Sequence, residues 1–313
     1  MHIPVLFEET VDALAVKAGG TYVDGTLGRA GHASEVLRRA GPEGRLLGID
    51  RDGEALARAA KVLDPIPGHK VLAHGEHGDL AAIATANGFD AVDGILLDLG
   101  VSSDQLDTPE RGFSFRADGP LDMRMDQTRG KPAAELVNGL SEEELARLFR
   151  ELGEEPRAKA AARAICRERE RSRIVTTGRL AEIVGRAVGG SGGKRNPATR
   201  VFQALRMSVN RELENLVAAL DGGLKLLKSG GRMAVITFES LTDRVVKQCF
   251  AAHAGCMVSL QQGGQRWEGE LPAVVKVTRH PVVAGDAELE RNPRARSAKL
   301  RVVERSDRPP GED

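Results

Sequence analysis

Residues Thr21–Asp50 constrain the fold more than any other stretch of the chain. A short apolar run, Thr-Tyr-Val-Asp, passes directly into a turn carrying Gly25, Gly28 and Gly31. A helical segment over 32–40 follows and stops at Gly41-Pro42, and a second apolar run, Gly-Arg-Leu-Leu-Gly-Ile-Asp, ends on Asp50. Strand, glycine turn, helix and acid-terminated strand are the parts from which an open parallel sheet builds a nucleoside site. The glycines let backbone approach a ligand, and the terminal acid accepts hydrogen bonds from a ribose diol.

The same grammar continues. Before the first strand, residues 5–16 read as an amphipathic helix with Val5, Leu6, Val11, Leu14 and Ala15 toward the core. Helix 53–63 is broken by Asp64-Pro65-Ile66-Pro67, strand 70–74 and helix 78–87 come next, and Asp93-Gly-Ile-Leu-Leu-Asp98 is a buried strand ending on another acid. Four successive β/α units imply a parallel sheet covered on both faces.

Then the pattern breaks. Residues 104–130 carry Gly112, Gly119, Pro120 and Gly130 among many charges and read as ordered loop. From 141 to 188 everything is helical: Ser141 and Glu144 form a capping box for one helix, a second runs from 156 to 171, and a third, capped by Thr176 or Thr177, covers 176–188. Gly189-Gly-Ser-Gly-Gly193 closes the block. A helix over 198–228 with a break, strand 231–238, helix 240–254 and strands 257–262 and 273–280 resume the β/α order, the last two expected as a hairpin. The expected architecture is a seven-strand α/β core over 1–105 and 206–313, with an all-helical domain of residues 106–205 inserted after the fourth strand. An antiparallel strand in an otherwise parallel sheet suits a class I (Rossmann-like) S-adenosylmethionine-dependent methyltransferase better than a dehydrogenase.

The cofactor follows from the glycine spacing. Gly25-x-x-Gly28-x-x-Gly31 is not the G-x-G-x-x-G that admits a pyrophosphate at a helix N-terminus. S-adenosylmethionine has no phosphate and needs only clearance around its methionine portion. Asp50 serves a ribose in either case and so does not discriminate.

Charge is unevenly placed although the 313-residue chain has no formal net charge. Between Arg157 and Arg206 thirteen Lys/Arg stand against three acids, and between Arg291 and Arg308 seven stand against two. Such concentration suits a polyanion, because each neutralised phosphate releases counterions; a solvated arginine-rich helix accounts for a charge run equally well. Lys159, Arg163, Arg167 and Arg171 recur every four residues as one basic stripe able to track a phosphate backbone, with Glu155, Glu168 and Glu170 as competing partners. Phe113 and Phe115 suit either base stacking or a core. Three scattered cysteines are too few for a disulfide framework, a zinc site or an iron–sulfur cluster, and no metal is expected. Glu8, Glu9 and Asp12 with no long apolar run argue against a secretory signal or a membrane partner, so a cytoplasmic protein is expected.

Several motifs spanning nearly the whole chain sharpen this. They are His2-Ile-Pro-Val-Leu, Tyr22-Val-Asp-Gly-Thr-Leu-Gly-Arg-Ala-Gly-His, Gly94-Ile-Leu-Leu-Asp-Leu-Gly-Val-Ser-Ser and Arg111-Gly-Phe-Ser-Phe, followed by Gly119-Pro-Leu-Asp-Met-Arg-Met, Pro197-Ala-Thr-Arg, Phe202-Gln-Ala-Leu-Arg and Asn292-Pro-Arg-Ala-Arg-Ser-Ala-Lys-Leu-Arg. In them the chain closely resembles the bacterial S-adenosylmethionine-dependent cytosine-N4 methyltransferases of small-subunit ribosomal RNA. The resemblance implies methylation of the exocyclic amine of one cytidine in the decoding region, on naked 16S ribosomal RNA or an assembling small subunit. It places cofactor contacts on Ala30, Gly31, His32, Asp50, His77, Asp98 and Gln105. The chain departs from that family's usual pattern at Ala30 (glycine), His77 (an aromatic), Asn196 and Glu239 (both histidine).

The exocyclic nitrogen of cytosine is a poor nucleophile because its lone pair delocalises into the ring. Acceptors held against its two N–H groups localise that pair. Asp98, Ser102 or nearby carbonyls are the candidate acceptors, Asp98 being equally readable as a cofactor ligand alone, with in-line positioning doing most of the work. Sequence assigns no catalytic residue. A nicotinamide dehydrogenase lacks its glycine spacing here; a non-catalytic RNA-binding or ribosome-assembly protein would bind the cofactor without turnover; a small-molecule or DNA substrate is opposed by the charge of the insert.

Overall fold

The computed structural model describes residues 4–189, 196–260 and 265–307. Residues 2 and 3 of the first motif, 190–193 of the glycine run, Lys194, Arg195, positions 261–262 of one expected strand and Arg308 lie outside the described residues. The chain divides into two compact units, Met1–Gly100 with Glu214–Asp313, and Val101–Leu213.

In the first unit, strand β1 (Thr21–Asp24) is buried at every position and lies between β2 (Arg45–Asp50) and β4 (Val92–Asp98). Strand β3 (His69–His74) flanks β2 and β5 (Leu227–Thr237) flanks β4, all five running parallel. Strands β6 (Cys256–Ser259) and β7 (Gln265–Glu268) form a separate antiparallel pair. With β8 (Val274–Lys276) and β9 (Lys299–Arg305) the main sheet has seven strands in the order β3-β2-β1-β4-β5-β9-β8.

Alternation along the strands feeds two cores. Tyr22, Leu46, Leu96, Ala234 and Ile236 pack with Val36 and Leu37 of helix Gly31–Ala40. Val23, Leu47, Ile95, Leu97, Met233 and Val235 pack with Leu80, Leu216, Leu220 and Phe250. Each fully buried Leu, Ile or Val is worth about 1.5–3 kcal/mol, which is why strands covered on both faces read as unbroken apolar runs.

The expected hairpin of 257–262 with 273–280 does not form. Strand β6 pairs with β7, and β8 reaches the sheet only through β9, which is antiparallel to both β5 and β8. Strand β9 lies inside the second basic run, where Leu300 and Val302 are buried on one face and Val303 on the other. Lys299 and Arg301 meet the carboxylate of Asp243 at 3.0 and 2.7 Å. Paired charges mask an alternating strand, and those cations serve the fold.

The second unit is helical, around a core that includes Phe149, Ile165, Leu180, Val184, Val201 and Leu205. Ser141 and Glu144 close the capping box of helix Glu142–Glu151, and Thr176 caps helix Thr177–Val188. The long helix expected over 198–228 is interrupted at Asn210 and Arg211, between helices Thr199–Val209 and Glu212–Leu226. Asn210 is buried there, accepting from the Met125 N–H and donating to the Met123 carbonyl, each at 2.8 Å. Phe113 is buried in this core and Phe115 packs edge-on against Phe202 with ring centroids 4.7 Å apart. Both rings are therefore spent on packing rather than offered to bases.

Candidate active site at the carboxyl edge of the sheet

Strands β2, β1 and β4 are neighbours, and each ends on an acid. Asp24 is in register with Gly48 and Leu96, so Asp50 and Asp98 stand two residues beyond it on either side. Burial, opposed by the Thr26 N–H and reinforced by the charges of Asp98 and Asp50, pushes the Asp24 carboxyl up to about 7. Thr26 ties the group together: its N–H donates to Asp24 Oδ1 at 3.0 Å, and its Oγ1 accepts the Asp98 N–H at 2.6 Å. Asp98 keeps 28 % of its side chain exposed, and burial pushes its carboxyl up to about 7. Sequence reasoning passed over Asp24 as a site residue. The signal was available, since it closes its strand as Asp50 and Asp98 close theirs.

The glycine turn works mainly on the protein itself. Gly28 has φ +51°, and its N–H donates to Asp50 Oδ2 at 2.7 Å, while the Asp52 N–H donates to Oδ1 at 2.9 Å. Burial raises the Asp50 carboxyl above its ordinary range despite these two donors. A Cβ on Gly31 would stand 2.3 Å from Cγ of Pro4, and one on Gly25 would stand 2.6 Å from Cδ2 of Leu97. Packing thus requires two of the glycines, and the third orients Asp50.

Ala30, at φ 59° and fully buried, precedes helix Gly31–Ala40 without a side-chain cap. The first N–H groups of that helix have no intrahelical acceptor. His32 in its first turn is buried, and its Nε2 meets the Val5 carbonyl at 3.1 Å. Burial lowers its pKa to about 4, so the ring is neutral, Nε2–H donates to Val5, and the 3.9 Å approach of Nδ1 to Asp98 Oδ2 is not an ion pair. His77, in the turn after β3, is buried with Arg51 Nη2 at 3.4 Å from its Nδ1. Burial and the Arg51 charge lower its pKa to about 3. Glu239 follows β5 and opens helix Ser240–Ala254 without capping it through its side chain.

The remaining candidates belong to the second unit. Gln105 Oε1 accepts the Ser102 N–H at 3.1 Å, and Ser102 Oγ accepts the Gln105 N–H at 3.2 Å, a capping box that opens helix Ser103–Asp107. Ser102 is thereby committed to a helix start. Lys159, Arg163 and Arg167 are exposed on helix Ala158–Arg169, opposite buried Ala158, Ala161, Ala162 and Ile165, and Arg171 lies just past its end. Arg163 reaches Glu142 at 3.4 Å and Arg171 reaches Glu168 at 3.2 Å, with 74 % and 72 % of the arginine side chains exposed. Exposed pairs of this kind contribute about 0–1 kcal/mol, so a phosphate displaces them at little cost. Glu155 is no competitor, since it is buried and accepts the Arg157 N–H.

The sequence matches the MraW methylase family over residues 1–306. The chain belongs to that family. It is 49 % identical over 304 residues to the ribosomal RNA small subunit methyltransferase H of Symbiobacterium thermophilum, covering 96 % of each chain. It is 49 % identical over 306 residues to the protein of that description from Geobacter sp. (strain M21), covering 97 % of this chain and 98 % of the relative. With the Methylobacterium sp. (strain 4-46) counterpart the identity is 50 % over 313 residues, covering 98 % and 92 %. In this MraW methylase the carboxyl edge of the sheet gathers Asp24, Asp50, Asp98, the glycine turn, His32 and His77 within the first unit, while Gln105 and the basic stripe belong to the second. Among the described residues there is no His/Cys/Asp/Glu group fit to hold a metal, and no helix is long and apolar enough to cross a membrane.

Proposed function

We propose that this methylase transfers a methyl group from S-adenosylmethionine to the N4 amine of a cytidine in the decoding region of small-subunit ribosomal RNA. The observation that carries the reading is the likeness, over nearly the full length and at 48–50 % identity, to proteins described as ribosomal RNA small subunit methyltransferase H. The reaction places it in the cytoplasm, acting on the ribosomal RNA or the assembling small subunit. The first unit takes the cofactor, and the second, with its exposed cations, takes the RNA.

When bound, S-adenosylmethionine supplies an electrophilic methyl carbon on a sulfonium. The residues present fit it. Each Asp50 oxygen already accepts one backbone N–H and retains a lone pair for a ribose hydroxyl. The uncapped first turn after Ala30, at Gly31 and His32, offers N–H groups to a carboxylate. His77 stands on the base side, and Asp98 lies at the methionine side of the ribose, on the far side of β1 from Asp50.

With its carboxyl raised to about 7, Asp98 is in part ionised at neutral pH. The ionised form accepts an N–H of the cytosine amine and so turns the nitrogen lone pair toward the electrophile. Lys159, Arg163, Arg167 and Arg171 hold phosphates and set register without reading sequence. The test is nucleoside mass spectrometry of small-subunit ribosomal RNA from cells with and without the gene. Loss of N4-methylcytidine on deletion, restored by the wild-type gene, is the expected result; unchanged content rejects the reading.

A further inference from the structure

Resting on that reading of the cofactor site, we propose that Glu288 is a positioning residue for its methionine end. By accepting the Leu6 N–H, Glu288 holds residues 4–6 against the first turn of helix Gly31–Ala40.

The contact fixes an unusual backbone. Glu288, on helix Asp286–Arg291, accepts the Leu6 N–H on its Oε1 at 2.8 Å, across 282 positions of sequence. Leu6 is fully buried and stands at φ 51°, ψ 43°, the left-handed region that a leucine rarely adopts. Such a conformation persists only where its surroundings over-determine it, and it collects at functional sites. Leu289 and Ala295 pack into the core that holds Val5 and Leu6, so a docked element delivers the carboxylate.

The held segment braces the cofactor turn. Helix Gly31–Ala40 has no side-chain cap. Instead Cγ of Pro4 lies 2.3 Å from where a Gly31 Cβ would stand, and the Val5 carbonyl takes the Nε2–H of His32 at 3.1 Å. That carbonyl and the Leu6 N–H belong to one planar peptide unit, gripped by His32 at its oxygen and by Glu288 at its nitrogen. Release of the nitrogen lets the plane rotate and withdraws the oxygen from the imidazole. His32 in turn carries its Nδ1 lone pair to within 3.9 Å of Asp98 Oδ2. Glu288, the Val5–Leu6 peptide, His32 and Asp98 therefore form one series of contacts inside the first unit.

Isothermal titration calorimetry on the full chain tests this with S-adenosylhomocysteine and with 5′-methylthioadenosine, which keeps the nucleoside and thioether but lacks the amino-acid carboxylate. Glu288→Ala should bind S-adenosylhomocysteine about tenfold more weakly and 5′-methylthioadenosine as wild type does. Glu288→Gln, which keeps an acceptor for Leu6, should stay within about twofold of wild type for both ligands. Because coupling is reciprocal, saturation of wild type with S-adenosylhomocysteine should slow hydrogen exchange of the Leu6 amide about tenfold, a result that decides the matter if Glu288→Ala does not fold. A role in stability alone would lower the urea midpoint of Glu288→Ala and leave its affinities unchanged. Wild-type affinity in Glu288→Ala overturns the proposal, as do equal losses for the two ligands, a Glu288→Gln variant as weak as Glu288→Ala, or a Leu6 amide indifferent to the ligand. Failure of wild type to bind S-adenosylhomocysteine at all overturns the cofactor reading itself, an outcome distinct from these.

Discussion

Replacing Asp24 by Asn should stabilise the protein at alkaline pH, although the residue is buried at the heart of the candidate site. The folded state holds the Asp24 carboxyl at about 7, against an ordinary value of 3.8. Below about 4 both states are protonated and the group contributes nothing. As pH rises from about 4 to 7 the unfolded chain releases its proton first, so the folded state binds more protons and stability falls through that window. A shift of about three units at about 1.4 kcal/mol each sets a ceiling of about 4 kcal/mol, and sharing of the effect with Asp98 brings the expected gain nearer 2 kcal/mol. Asparagine keeps an oxygen for the Thr26 N–H, which Asp24 Oδ1 now accepts at 3.0 Å, and cannot ionise. Urea unfolding followed by fluorescence of Trp267, the chain's one tryptophan, measures it at pH 4.5 and 8.5. Asp24→Asn should match wild type within about 0.5 kcal/mol at the lower pH and exceed it by about 2 kcal/mol at the higher. Equal destabilisation at both values refutes the argument.

Gly31→Ala should cost about 1–3 kcal/mol because its Cβ meets Cγ of Pro4 at 2.3 Å, and Pro4→Ala in the same chain should recover most of that; additive losses in urea titrations contradict it. Asp98→Ala should abolish methyl transfer, measured with radiolabelled donor, and near-normal turnover rejects a role for this carboxyl. Replacing Lys159, Arg163, Arg167 and Arg171 together by Ala should weaken RNA binding and reduce the slope of log affinity against log salt by about 3, read by filter binding across a salt series. An unchanged slope removes the stripe from the interface.

What the sequence disclosed depended on whether one physical signal dominated each segment. Helix Gly53–Leu63 is bounded by Asp52, whose side chain accepts the Glu54 and Ala55 N–H groups, and by Asp64-Pro65, so both ends are legible. Strands β1, β2 and β4 are apolar on both faces and end on acids, which made Asp50 and Asp98 visible. Strand β9 was illegible because Lys299, Arg301 and Arg305 interrupt its apolar alternation. Their partners, Asp243 and the carbonyls of Lys225 and Leu227, are distant in sequence. The glycine turn was readable as a turn, but not its reasons. That Pro4 presses on Gly31 and that Gly28 orients Asp50 are tertiary facts. Phe113 and Phe115 show the same limit, since an aromatic in a charged loop gives no sign of which core it enters.

Incubation of the purified protein with small ribosomal subunits lacking the modification and with donor carrying a trideuterated methyl group tests the central claim most directly. Nucleoside mass spectrometry of the recovered ribosomal RNA should show deuterated N4-methylcytidine at a single decoding-region position. Label on cytosine C5, on a ribose oxygen, on protein, or nowhere contradicts it.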